Sequence, residues 1–122
     1  MVLDSTDVLI IDQDRIVLEV AFRGITQAGF AARAARSTAE GLAELEAGLK
    51  PLLVLVDLDH APGMDAANLV SGLKRRTDWA STPVVGMARG REELPGHIPL
   101  DGVLTKPFET AQLVAIVREF CR

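Results

Sequence analysis

One cysteine, Cys121, stands among the 122 residues, so no internal disulfide staples the chain, and a free thiol of this kind suits a reducing compartment, the cytoplasm. Aromatic residues are scarce, with four phenylalanines, one tryptophan and no tyrosine. Trp79 has no aromatic partner with which to stack bases, and reads as a cover for a core edge. Charge of one sign is missing too: 13 Lys and Arg against 17 Asp and Glu leave a net charge of −4, with no electrostatic footprint for nucleic acid. The short basic cluster Lys74-Arg75-Arg76 reads as the cationic end of a helix. Apolar runs such as Leu52 to Val56 and Val8 to Ile11 stop far short of the ~20 residues that a membrane helix needs, so no membrane partner is expected. Met1 to Asp7 lacks the basic start and apolar stretch of a secretory signal. Neither G-x-x-x-x-G-K-S/T nor G-x-G-x-x-G occurs, nor does H-E-x-x-H, which argues against a nucleotide-binding enzyme or a zinc protease. His60 and His97 have no metal-ligand spacing and read as solvated loop residues. What is present, 48% apolar and 25% charged residues without repeat or linker, suits one folded domain over residues 1–122.

Two short apolar runs, Val8 to Ile11 and Leu52 to Val56, each end at an aspartate and read as strands buried on both faces, as in parallel sheets. Between them Val17, Val20, Ala21, Gly24, Ile25 and Ala28 form a helical stripe that Gly29 stops. Phe30 to Arg36 reads as a weaker strand. Ser37-Thr38-Ala39-Glu40 has capping-box spacing, and Leu42, Leu45 and Leu49 follow on one helical face up to Lys50-Pro51. Ala66, Leu69, Val70 and Leu73 predict a third helix, and Leu113, Ile116, Val117 and Phe120 a closing one after Lys106-Pro107. Strands are expected at Thr82 to Met87 and Asp101 to Thr105, each weakened by a glycine, Gly86 or Gly102. Gly24, Gly41 and Gly72 inside helices suggest close packing on the sheet. Around Arg91 to Leu94 the flanking Gly90, Pro95, Gly96 and Pro99 leave room for only a short or broken fourth helix. Alternating strands and helices imply an α/β fold, a doubly wound five-stranded parallel sheet, with ligands beyond the carboxyl ends of the strands.

That edge carries Asp12 with Gln13 and Asp14, then Asp57, then Ala88, then Lys106. Apposed carboxylates in an oxygen-rich crevice suit a hard divalent cation such as Mg2+. A carboxylate beside such a cation is also able to attack phosphorus and form an acyl phosphate, with a lysine neutralising the phosphoryl oxygens.

Here the chain resembles the receiver domains of two-component response regulators, along essentially all of its length. Ile10-Ile11-Asp12-Gln13-Asp14 sits where the family has an acidic cluster, and Val54-Leu55-Val56-Asp57-Leu58 with Pro62-Gly63-Met64-Asp65 is similar to its phosphoacceptor strand and turn. Pro83-Val84-Val85-Gly86-Met87 matches the fourth strand, and Lys106-Pro107-Phe108 the Lys-Pro-Phe signature, whose Lys-Pro bond is usually cis. The resemblance implies a flavodoxin-like receiver fold. It makes Asp57 the phosphoacceptor, Asp12, Asp57 and the Asp59 backbone carbonyl metal ligands, and Lys106 the contact to the phosphoryl group. It also implies Mg2+ as cofactor and a histidine kinase or phosphotransfer protein as donor. An unidentified downstream protein, or a homodimer, would complete the partners.

The departures are specific. Gln13 replaces the second metal-binding acid and keeps only a weak carbonyl ligand, which weakens Mg2+ by ~2 kcal/mol or roughly 30-fold if a quarter of the lost Coulomb attraction survives desolvation. Asp14 partly substitutes there or caps the helix. Ala88 stands at the position of the family's Ser or Thr, and a lost hydrogen bond to a charged group removes about 1.5–3 kcal/mol. Val103 replaces the switch aromatic three residues before Lys106. The stretch from Asp57 to Pro62 holds one extra residue, which would displace the Asp59 carbonyl. Two functions follow: a phosphoacceptor module, not an enzyme in the ordinary sense, or a pseudo-receiver that binds partners without phosphorylation. A flavodoxin-like binder of a phosphorylated cofactor is a third class, which no loop supports.

Overall fold

The strand-end aspartates and the helical stripes meet in one sheet in a computed structural model that describes residues 6–59, 63–90 and 98–121, with α3 side chains from residue 66 onward. The elements run β1 (Val8–Ile11), α1 (Arg15–Gln27), β2 (Ala32–Ala35), α2 (Thr38–Glu46), β3 (Leu53–Asp57), α3 (Gly63–Arg75), β4 (Val84–Ala88), β5 (Gly102–Thr105) and α4 (Thr110–Phe120). The strands lie in the order β2-β1-β3-β4-β5, and every pairing is parallel. Val8 lies opposite Ala32 on one side and Leu53 on the other, and Val54 opposite Val84. The order reverses between β1 and β3, and this opens a crevice beyond their carboxyl ends.

Alternate strand residues divide the core in two. Leu9, Ile11, Val54, Val56 and Val84 pack with α2, α3 and Trp79. Val8, Ile10, Leu53, Leu55, Val85 and Met87 pack with α1 and α4. All residues of β1, β3 and β4 are buried, which explains why they read as unbroken apolar runs. Trp79 covers the core edge as expected, and the Arg76 guanidinium sits 4.4 Å from its ring centre.

Local chemistry sets the boundaries. The Asp14 carboxylate caps α1 by accepting from the amides of Ile16 and Val17 at 2.9 and 3.3 Å. The Ser37 hydroxyl caps α2 by accepting from the Glu40 amide at 3.0 Å. Gly29 and Gly48 leave the two helices at φ +97° and +113°, a region other residues avoid. Because Gly48 turns the chain, Leu49 lies beyond α2 and fills the core from the loop. β3 begins one residue later than the apolar run, since Leu52 is exposed, and ends on Asp57 itself. β2 is the shorter segment Ala32–Ala35.

The helical glycines divide three ways. A Cβ on Gly41 would overlap the Ile11 side chain, so this helix does pack closely on the sheet. Gly24 instead admits α4, with Thr110 Cγ2 at 3.1 Å from a built Cβ, and Gly72 has open space. Gly86 marks a similar approach within the sheet layer, where a Cβ would lie 2.6 Å from Leu58 and 3.0 Å from Leu100. The expected fourth helix around Arg91 to Leu94, the turn at Pro62, and His60 and His97 lie outside the described residues.

Candidate functional site

The crevice gathers Asp12 from the end of β1, Asp57 from the end of β3 and Lys106 from just past β5. Lys106 Nζ donates to Asp12 Oδ2 at 2.9 Å and to Asp57 Oδ1 at 2.8 Å. The three are buried, with 1%, 3% and 8% of their surfaces exposed. Each aspartate also accepts from the amide two residues on: Asp14 to Asp12 Oδ1 at 2.8 Å, and Asp59 to Asp57 Oδ1 at 3.0 Å. Strand ends and short Asx turns thus aim both carboxylates at one point. Lys106 is fixed at its own backbone, where its amide donates to the Ala88 carbonyl at 2.8 Å, and the Lys106-Pro107 bond is cis.

One ammonium serves two carboxylates, so the triple carries a net negative charge when all three ionise. Burial raises the Asp12 pKa, and the hydrogen bond from Lys106 offsets it only in part. Burial alone would lower the Lys106 pKa, but the hydrogen bonds and charges of Asp57 and Asp12 outweigh it and raise the pKa. The two shifts share one setting: a single buried ammonium held by two acids, one of which burial disfavours as an anion. Among the described residues no buried side-chain nitrogen or oxygen lacks a hydrogen-bond partner.

Comparisons with known proteins bear on this geometry. No family model matches the chain. Transcriptional regulatory protein CseB of Streptomyces coelicolor is 29% identical over 98% of this chain and 50% of its own length, and CseB of Streptomyces avermitilis is 28% identical over the same shares. The chain therefore spans about half the length of these relatives. Among solved structures, chemotaxis response regulator CheY4 of Vibrio cholerae superposes with a TM-score of 0.84 at 17% identity, over 96% of this chain and 99% of its own. A response regulator receiver protein from Sinorhizobium medicae gives a TM-score of 0.81 at 24% identity, over 98% and 97%. This is a receiver fold.

In receiver folds the crevice where strand order reverses is the place to look for chemistry, and three of the sequence-derived candidates meet there: Asp12, Asp57 and Lys106. Ala88 ends β4 with its methyl buried, offering no donor. Gln13 is exposed, and the Asp14 carboxylate is engaged as the α1 cap. Val103 is half-buried on β5, opposite Gly86. Asp59 does what its sequence position did not announce. Its carboxylate accepts from the Arg89 amide at 3.1 and 3.3 Å and ties the β3 loop to the end of β4. Asp101 was also missed: at the opposite end of the sheet it accepts from the Val84 amide at 2.7 Å and from Lys74 Nζ at 2.8 Å. Lys74 so serves β4 and β5 as well as the end of α3.

The donor set fits a hard cation in kind, since Asp12 and Asp57 present carboxylate oxygens to one crevice. It is sparse in number: among the described residues no group of three or more acidic, histidine or cysteine side chains converges to hold a metal. Beside the crevice lies a hollow of about 530 Å³ lined by Ile16, Val17, Val20 and Phe108, with Arg89 and Lys106 at its charged side. Ile16 is 72% exposed and Val20 47%, an apolar strip on α1 next to the acidic pair. Cys121 is remote from this edge; it closes α4, and burial pushes its thiol up to about 11. No helix among the described residues is long and apolar enough to cross a membrane.

Proposed function

We propose that residues 1–122 form one receiver domain, cytoplasmic and regulatory rather than enzymatic, that accepts a phosphoryl group on Asp57. The observation that carries this is the Lys106 ammonium held between Asp12 and Asp57, which keeps a buried nucleophilic carboxylate and its charge partner together. A carboxylate oxygen of Asp57 attacks the phosphorus of a phosphohistidine on a histidine kinase or phosphotransfer protein. The P–N bond breaks, its electron pair stays on the imidazole nitrogen, which takes up a proton, and Asp57 becomes an acyl phosphate. Lys106 then faces phosphoryl oxygens instead of a carboxylate. Asp12, Asp57 and the Asp59 carbonyl would hold Mg2+, with Gln13 a weak neutral ligand, and the ion would supply charge neutralisation at those oxygens. The exposed strip of Ile16 and Val20 provides a docking face for the donor beside the acceptor.

A pseudo-receiver reading draws on the same observation from the other side. Lys106 already satisfies both carboxylates, Gln13 lowers the charge that would attract Mg2+, and Ala88 and Val103 lack the groups of a conventional switch. Intact mass after incubation with acetyl phosphate, with and without Mg2+, separates the two. The acceptor reading expects a Mg2+-dependent phosphoryl adduct at early times that Asp57→Ala abolishes. No adduct even at high Mg2+ sinks it in favour of the pseudo-receiver.

A further inference from the structure

We propose that the Arg89 guanidinium contacts the phosphoryl group on Asp57, supplying the donor that Ala88 lacks; this rests on the acceptor reading above. Phosphorylation replaces a singly charged carboxylate by a group carrying about −1.5 to −2 charges. Asp12 remains beside it, and Lys106 is a single cation already shared between two acids. The buried methyl of Ala88 adds no hydrogen bond. The crevice therefore calls for a second donor, best a charged one.

Arg89 is placed to be that donor. Its amide is held by the Asp59 carboxylate at 3.1 and 3.3 Å, and the Asp59 amide in turn donates to Asp57 Oδ1 at 3.0 Å. Its backbone is thus two hydrogen bonds from the acceptor. Arg89 lines the hollow that Lys106 also lines, and it belongs to none of the ion pairs found among the described residues. Asp14, the acid sharing that hollow, is occupied as the α1 cap. Several other cations are committed: Arg23 pairs with Glu19, Arg33 with Glu44, Arg76 with Glu46, and Lys74 with Asp101 at the far end of the sheet. A planar guanidinium also matches phosphoryl oxygens in a bidentate fork that a hydroxyl or ammonium does not provide.

The test compares wild type, Arg89→Gln, Arg89→Lys and Arg89→Gln/Ala88→Ser in acetyl phosphate and Mg2+, reading adduct yield by intact mass and adduct half-life after donor removal. Arg89→Gln is expected to need about tenfold more donor for half-occupancy, the low end of what a charge-assisted hydrogen bond supplies. Arg89→Lys should lose less, and the added Ser hydroxyl should restore most of the yield, which a merely structural arginine would not allow. Arg89→Gln within twofold of wild type overturns the proposal while leaving the acceptor reading intact. So does equal loss in all three variants. No adduct on wild type overturns the acceptor reading and this proposal with it.

Discussion

Lys106 is the residue on which the crevice balances, because removing it takes away the ammonium that two buried carboxylates share. Breaking a buried pair in this way costs about 3–5 kcal/mol, so Lys106→Met is expected to shift the urea midpoint downward by that equivalent. Asp12→Asn has the opposite logic. It removes one of two buried negative charges, keeps an acceptor oxygen, and leaves the Lys106 ammonium its contact to Asp57, so its stability should stay within about 1 kcal/mol of wild type. A large loss in Asp12→Asn alongside a small one in Lys106→Met would show that the charges are arranged otherwise. Asp57 and Lys106 were legible from sequence because each stands at a strand end beside a signature turn. The bond between the Asp59 carboxylate and the Arg89 amide was not, since it runs from a side chain to a backbone amide 30 residues away, and no spacing rule encodes such a pairing.

Among the elements, α2 and α3 offer a paired test of why glycines sit in helices. The Gly41 face touches Ile11, and an added methyl must displace a fully packed side chain, so Gly41→Ala is expected to cost about 1–3 kcal/mol despite better helix propensity. Gly72 has no atom within 4 Å of a built Cβ, and Gly72→Ala should gain about 0.5–1 kcal/mol in the same urea titrations. Both glycines looked alike in the sequence, where a stripe shows which face is buried but not how near the sheet lies. The same limit explains Gly24, whose close neighbour is α4 rather than a strand. The strands themselves were legible, as continuous apolar runs ending in aspartate, because parallel strands are covered on both faces. Their ends shifted by a residue or two where exposure, as at Leu52, was decided by neighbours distant in the chain.

Over the whole molecule, protection follows strand order. β1, β3 and β4 are flanked on both edges, whereas β2 and β5 each leave every second amide without a ladder partner. Amide hydrogen exchange is expected to be slowest at Val54, Leu55 and Val85, and at least about tenfold faster on the outward amides of β2; uniform rates would mean that the sheet opens only as one unit. Lys106 meets Asp12 and Asp57 across 94 and 49 residues of chain. On a ribosome, where the N-terminal strands emerge first, the two acidic strand ends exist well before the base that reconciles them. A partly made chain that paired β1 with β3 would bring two acidic strand ends side by side, and the lysine just past β5 then offsets their repulsion. The lysine that offsets this repulsion is thus among the last parts of the sheet edge to be made, long after the two acids it joins.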